Sequence, residues 1–216
     1  QGLQGSLYHE LMVEVKKNNI VYQIVPAERI ELVTRKNHQG VLAWLAVVEF
    51  QNISNLLPAI YEKGEDPLLI ALDGVSDVRN FGAIVRTAEC LGAHAIIIPE
   101  KGSARITADA VKTSAGALHT FPVCREKSIT KAIEYLKESG LKVICAGEKS
   151  DKNADDVDLS GPMVLIMGSE DRGISRELVS MADNKVKIPM TGKIESLNVS
   201  VAAGILLYEI VRQRST

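Results

Sequence analysis

Five polar side chains stand where the neighbouring sequence offers them no obvious structural duty. Asn80 and Arg86 flank Gly82 in the otherwise apolar Asn80-Phe81-Gly82-Ala83-Ile84-Val85-Arg86-Thr87. Glu170 lies in Gly168-Ser169-Glu170-Asp171-Arg172-Gly173, directly after an apolar run. Ser196 and Asn198 open a helix, Val199 to Val211, that is apolar nearly all round. A guanidinium, a carboxylate, two amides and a hydroxyl can orient a polar ligand and hold charge near it. Each also has a purely structural reading. Ser196 fits a helix N-cap, accepting from first-turn N–H groups. Asn198 could be a buried amide with internal partners, since a helix apolar on most sides is buried on most sides. Arg86 could pair with a surface carboxylate, and Glu170 could favour a helix N-terminus.

The elements that must position these groups follow from periodicity. Leu68 to Leu72 is a continuous apolar run, as expected of a strand covered on both faces of a parallel sheet. Ala95 to Ile98, Phe121 to Cys124, Lys142 to Ala146, Met163 to Met167 and Val186 to Met190 read as further strands. Helices are expected from about Gly82 to Leu91, Thr107 to Leu118, Ile129 to Glu138 and Arg176 to Ala182. Strands alternating with crossover helices give an α/β domain around a parallel sheet. Ligands bind such sheets beyond the carboxyl ends of the strands. All three polar clusters lie at expected strand ends, with Asn80 and Arg86 aimed at one loop end. No G-x-G-x-x-G or G-x-x-x-x-G-K-[ST] is present, which argues against ordinary dinucleotide or P-loop binding.

With 216 residues, 46% of them hydrophobic, the chain can bury one substantial core. No apolar run approaches a membrane span, and the polar start Gln1 to Gly5 lacks the regions of a signal peptide. Cys90, Cys124 and Cys145 are scattered without a CxxC pair, which points to a reducing compartment, the cytoplasm, and argues against a metal site. A net charge of −2 gives no global positive field, so any nucleic acid would be met by local patches. Aromatics at 4% disfavour a sheet that stacks bases.

The front of the chain has a different character. His9 to Lys17 suggests a helix, Ile20 to Val25 a strand, Pro26 to Val33 a proline-opened helix, and Val41 to Val48 another strand. The charges of Lys16, Lys17, Arg35, Lys36 and His38 are either solvated surface or an RNA-contacting edge. Boundaries are expected at 1–52 for this segment, 53–66 for a linker containing a short helix, and 67–216 for the α/β domain.

The three polar clusters carry a specific resemblance. Asn80 to Ala88 is similar to motif 1 of the SpoU (TrmH-type) methyltransferases of the SPOUT superfamily. Ile166 to Gly173 resembles motif 2, and Ile188-Pro189-Met190 with Ser196 to Ser200 resembles motif 3. The order and spacing match over roughly Leu68 to Arg212, and Asn37-His38-Gln39-Gly40 resembles the end of the L30e-like substrate-binding domain of RlmB-type members.

The resemblance implies a parallel-sheet fold with a C-terminal trefoil knot behind a partial L30e-like domain, a homodimer, S-adenosyl-L-methionine as donor, and methylation of a ribose 2′-hydroxyl in RNA. It places Arg86 at the 2′-hydroxyl, with Asn80, Glu170, Ser196 and Asn198 completing a polar floor. Ala146, Gly147, Met167, Gly168, Ile188, Met190, Ser196 and Leu197 would hold the cofactor, largely through backbone groups. Arg35, Lys36, His38 and Arg105 would meet RNA, with a guanosine of large-subunit ribosomal RNA the expected acceptor and transfer RNA the alternative. A non-catalytic RNA-binding module and a small-molecule nucleotide enzyme are the rival classes. Ile205, Leu206, Leu207, Ile210 and Val211 carry more apolar surface than one sheet face needs, so either Leu206 or Leu207 is expected to face outward onto a partner subunit.

Overall fold

A computed structural model describes residues 5–18, 20, 22–42, 48–147, 150–194 and 196–215. It divides into two compact units, 1–46 and 47–216. In the first unit, α1 (Ser6–Lys17) and α2 (Ala27–Glu31) are helical and neither contains a buried residue. The strand expected from Ile20 to Val25 is not formed at the described positions there, whose side chains are mostly exposed and meet no pairing partner. Most of the strand expected over Val41 to Val48 lies outside the described residues.

The second unit begins earlier than the sequence suggested. Its first strand, β1 (Phe50–Gln51), pairs with β4 (Val123–Glu126), and the helix α3 (Ile53–Glu62) follows. Asn52 caps α3 by accepting from the Ser54 N–H at 2.9 Å, and Ile53, Leu57 and Ile60 are buried against the sheet. Within the expected linker, one face of α3 therefore joins the core, because Ile53, Leu57 and Ile60 recur at helical spacing, while residues 61–66 are exposed.

The remaining elements are β2 (Leu68–Asp73), α4 (Val78–Cys90), β3 (Ala95–Pro99), α5 (Ala108–Thr113), α6 (Ile129–Glu138), β5 (Lys142–Ala146), β6 (Lys152–Asn153), β7 (Met163–Gly168), α7 (Arg176–Met181), β8 (Asn184–Lys187) and α8 (Val199–Arg214). Eight strands form one parallel sheet in the order β1-β4-β3-β2-β7-β5-β8-β6. Alternate residues of β2 serve two cores. Leu68, Ile70 and Leu72 pack with α4 and α8, whereas Leu69 and Ala71 pack with α3, α6 and α7. Burial on both faces is why the strands read as unbroken apolar runs.

Three boundaries differ from expectation for local reasons. Helix α4 starts at Val78, since the Asp77 carboxylate caps it by accepting from the N–H groups of Arg79 (2.9 Å) and Asn80 (2.8 Å). Strand β8 ends at Lys187, two residues before Pro189, which has no N–H for the ladder. The helix expected over Thr107 to Leu118 stops at Thr113, and Ala115 (φ 52°) and Gly116 (φ 88°) turn the chain through left-handed conformations.

Helix α8 is fastened at its far end. The Arg214 guanidinium donates to the carbonyls of Asp66 (3.0 Å), Pro67 (3.2 Å) and Gly161, at the start of β2 and before β7. The Gln213 side chain accepts from the Leu159 N–H at 2.8 Å.

Candidate active site

The central pair β2 and β7 places Asp73 opposite Gly168 in register. Beyond Gly168 the chain doubles back: Gly173 N–H donates to the Ser169 carbonyl at 2.8 Å, and Arg172 N–H donates to Ser169 Oγ at 3.2 Å. A Cβ on Gly168 would lie 2.2 Å from the Gly173 carbonyl carbon, so only glycine permits this fold-back. The Asp73 carboxylate closes the loop by accepting from the Ser175 N–H at 2.7 Å.

Glu170 rides on this loop and joins two other strand ends. Its Oε1 accepts from Asn198 Nδ2 (2.7 Å), Asn80 Nδ2 (3.3 Å) and the Val199 N–H (3.3 Å), while Asn198 Nδ2 also donates to Asn80 Oδ1 (3.0 Å). Residues far apart in sequence thus meet in one polar cluster beyond the carboxyl ends of the sheet.

Two expectations need correction here. Asn198, not Ser196, is the N-cap of α8: its Oδ1 accepts from the Ser200 N–H at 3.0 Å and from Ser200 Oγ at 2.5 Å. Asn198 is also exposed rather than buried, so its amide serves helix and cluster at once. Arg86 does not converge on Asn80. Six helical residues separate them, roughly 9 Å along the axis and about 240° around it, and Arg86 is exposed with no described partner.

Beside the cluster is a cavity of about 830 Å³. Every residue expected to hold the cofactor lines it: Ala146, Gly147, Met167, Gly168, Ile188, Met190, Ser196 and Leu197. Glu170 also reaches its wall, whereas Asn80, Arg86 and Asn198 do not line it. The loops after β5, β7 and β8 supply these walls, which is why the early end of β8 matters: it frees Ile188 to Met190 from the sheet. Gly147 has open space where a Cβ would stand, leaving its backbone approachable by a flat ligand. Among the described residues no cluster of metal-ligating side chains is found, and no helix is long and apolar enough to cross a membrane.

Cys145 lines the same cavity. Burial pushes its thiol up to about 11, with nearby Lys185 opposing and Asp73 adding to the rise, and burial with Glu126 takes Cys124 to about 12. Both are protonated rather than nucleophilic, Cys145 in the cavity wall and Cys124 in the core. Iodoacetamide at pH 8 should modify exposed Cys90 and spare the other two, as peptide mass analysis would read; rapid labelling of Cys145 would contradict this.

Sequence reasoning missed Asp73, Asp77 and the Val199 N–H. The signals were present as carboxylates at a strand end and just before a helix. Of the residues expected to meet RNA, Arg35, Lys36 and Arg105 are exposed, and His38 is half-buried with Nδ1 accepting from the Gly40 N–H at 3.0 Å.

Comparison with known proteins agrees with this geometry. Residues 67–208 match the SpoU rRNA Methylase family, and residues 1–51 match the RNA 2′-O ribose methyltransferase substrate binding domain. The TrmH-family protein YacO of Bacillus subtilis, described as a tRNA/rRNA methyltransferase, is 37% identical over 200 residues, covering 93% of this chain and 80% of that one. An AdoMet-bound rRNA methyltransferase from Sinorhizobium meliloti superimposes with a TM-score of 0.68 at 28% identity, over 76% of this chain and 61% of that one. The TrmH/SpoU tRNA modifying enzyme of A. aeolicus gives 0.64 at 32%, over 76% and 84%. The chain, with its parallel sheet and its cluster of Asn80, Glu170 and Asn198, belongs to the SpoU family of RNA methylases.

Proposed function

We propose that the protein transfers a methyl group from S-adenosyl-L-methionine to a ribose 2′-hydroxyl of structured RNA in the cytoplasm, with a guanosine of large-subunit ribosomal RNA as acceptor. The observation that carries this reading is the single cavity lined by all the expected cofactor residues, with Glu170 linking its wall to Asn80 and Asn198. The AdoMet-bound relative from Sinorhizobium meliloti, an rRNA methyltransferase, supports both donor and acceptor. The cavity fits such a donor: aliphatic walls suit an adenine face, and exposed backbone at Gly147 and Gly168 suits its polar edge.

When bound, the sulfonium supplies an electrophilic methyl group. What the protein must add is in-line placement of the hydroxyl oxygen and an exit for its proton. Glu170 spends Oε1 on three donors, which fixes the carboxylate and leaves Oε2 to orient the ribose hydroxyl and take its proton as the methyl group moves from sulfur to oxygen. Asn80 and Asn198 hold that carboxylate in place. Arg86 offers a planar fork of N–H donors and no acceptor. Its work is to grip a phosphate and set the angle of the neighbouring hydroxyl.

The C-terminal third is proposed to be knotted, which accords with β8 lying between β5 and β6 although it follows both in sequence. A homodimer is also proposed. Neither Leu206 (2% exposed) nor Leu207 (0%) faces outward, contrary to expectation; they fill the core instead. The outward stripe is Val201 (49%), Ile205 (42%) and Tyr208 (63%), at helical spacing on α8. Ile205→Glu should turn a dimer into a monomer, since burying an unpaired carboxylate costs about 3–5 kcal/mol. Sedimentation would read this directly, and an unaltered dimer would take α8 out of the interface.

Tritium transfer from labelled cofactor to ribosomal and transfer RNA, assayed separately, tests the function. Transfer to ribosomal RNA alone supports the reading, and transfer to transfer RNA alone relocates the substrate. Binding without transfer would leave an RNA-binding module.

A further inference from the structure

Two groups of cations in the 47–216 unit differ in what they meet. Near the starts of strands, Lys137 pairs with Asp183 at 2.7 Å, Lys142 pairs with Asp158 at 2.6 Å, and Arg214 holds three carbonyls. Where strands end, Lys101, Arg105 and Lys127 are exposed and pair with no described residue. Arg125, also at that end, instead lies 5.0 Å over the Phe50 ring and donates to the Glu100 carbonyl at 3.2 Å.

Backbone hydrogen bonds put the three free cations in a line. Pro99 and Glu126 are in register on β3 and β4, and the Glu100 N–H donates to the Glu126 carbonyl at 2.8 Å, so Lys101 and Lys127 leave adjacent strands side by side. The Ala104 N–H then donates to the Val75 carbonyl at 3.0 Å. This draws the β3–α5 loop across to the turn after β2 and sets Arg105 beside the segment that leads to Asn80. The loop therefore crosses one strand spacing, about 5 Å, toward the turn that leads to Asn80. Carboxylates share this edge. Glu126 is half-buried, and Asp77 already accepts from the Arg79 and Asn80 N–H groups; Glu100 and Asp109 stay exposed. Over Glu100–Arg105 and Arg125–Lys127 four cations face two anions, so a locally positive strip persists on a chain of net charge −2.

We propose that this strip is the seat of the RNA backbone flanking the target nucleotide, with Lys101 and Lys127 gripping phosphates on the side away from the cofactor cavity. The proposal rests on the RNA methyltransferase reading above. It accounts for how a protein of net charge −2 meets a polyanion: a group of cations left unpaired lies along the path proposed for the strand.

The test is RNA binding by the full chain, measured against salt with an unmodified transcript of large-subunit ribosomal RNA. Relative to wild type, Lys101→Gln/Lys127→Gln should lose about tenfold in affinity and flatten the log–log salt slope by about 1.4, near 0.7 per lost contact to a single strand. Cofactor affinity should not move, because neither residue lines the cavity. Lys63→Gln, at the opposite edge, serves as the control and should change nothing. Unchanged affinity and slope in the double variant would overturn the proposal, as would an equal loss in Lys63→Gln. A wild-type protein that binds no RNA would overturn the strip and the functional reading together. RNA binding that weakens as expected, in a protein that transfers no methyl group, would keep the strip and remove only the activity.

Discussion

Methyl transfer should fall by on the order of 10²-fold or more in Arg86→Ala, with cofactor affinity held within a few-fold. The separation of the two effects follows from geometry. Arg86 is exposed on α4, pairs with no described residue and does not line the cavity, so its removal disturbs neither packing nor donor binding. Alanine also favours the helix. Arg86→Lys should fail similarly, because one ammonium cannot reproduce a planar fork that holds a phosphate and sets a hydroxyl beside it. Single-turnover transfer and calorimetric titration of the cofactor would check both halves. Near-normal turnover in either variant would remove Arg86 from the mechanism. A parallel loss of cofactor affinity would instead assign it to the donor side.

A single added methyl group should be as damaging at Gly168. In Gly168→Ala the new Cβ would stand 2.2 Å from the Gly173 carbonyl carbon and 2.4 Å from the Ile174 nitrogen. Both are backbone atoms, so the loop itself must open. Opening pulls Ser175 from Asp73 and Glu170 from Asn198, and it spoils a wall of the cavity. Charge-assisted hydrogen bonds are worth about 1.5–3 kcal/mol each, so losing these two implies a drop in cofactor affinity of about 100-fold or more. Asp73→Ala releases the same loop without the clash and should show a milder loss in the same direction. Gly192→Ala, where a Cβ meets open space, should bind normally. Full cofactor affinity in Gly168→Ala would mean that the fold-back is not needed for the cavity.

The strand ends were legible in the sequence because buried parallel strands leave unbroken apolar runs, and polar residues directly after them have little to do in folding. What could not be read was which of several adjacent polar groups takes which duty. Ser196 and Asn198 are both good caps; α8 uses Asn198 because Glu170 and Asn80 arrive from distant loops to hold its amide. The placement of Arg86 was misjudged by treating nearness in sequence as nearness on a helix, where six residues point different ways. Helix α3 was taken for part of a linker, yet Ile53, Leu57 and Ile60 fall on one face and the sheet needs a cover there. On α8 the outward stripe escaped notice because aliphatic residues lie all round it, and only neighbouring helices decide which of them are covered.

Helix α8 runs from the Asn80–Glu170–Asn198 cluster to the opposite rim, and it is bolted at both ends: Asn198 and the Val199 N–H to Glu170, Arg214 to the carbonyls of Asp66, Pro67 and Gly161. Its 16 residues make it a strut of roughly 24 Å. A strut fixed at both ends cannot slide along its axis without breaking contacts at one rim or the other. Adjustment on loading the cavity would then fall to wall residues outside the helix, such as Ile188, Met190, Ser196 and Leu197. Under the proposed function, the Asn198 end would be a fixed bed for the acceptor, and Ile188, Met190, Ser196 and Leu197 the jaw that meets the donor. Proteolysis or amide exchange should register donor binding in that jaw while the strut stays silent.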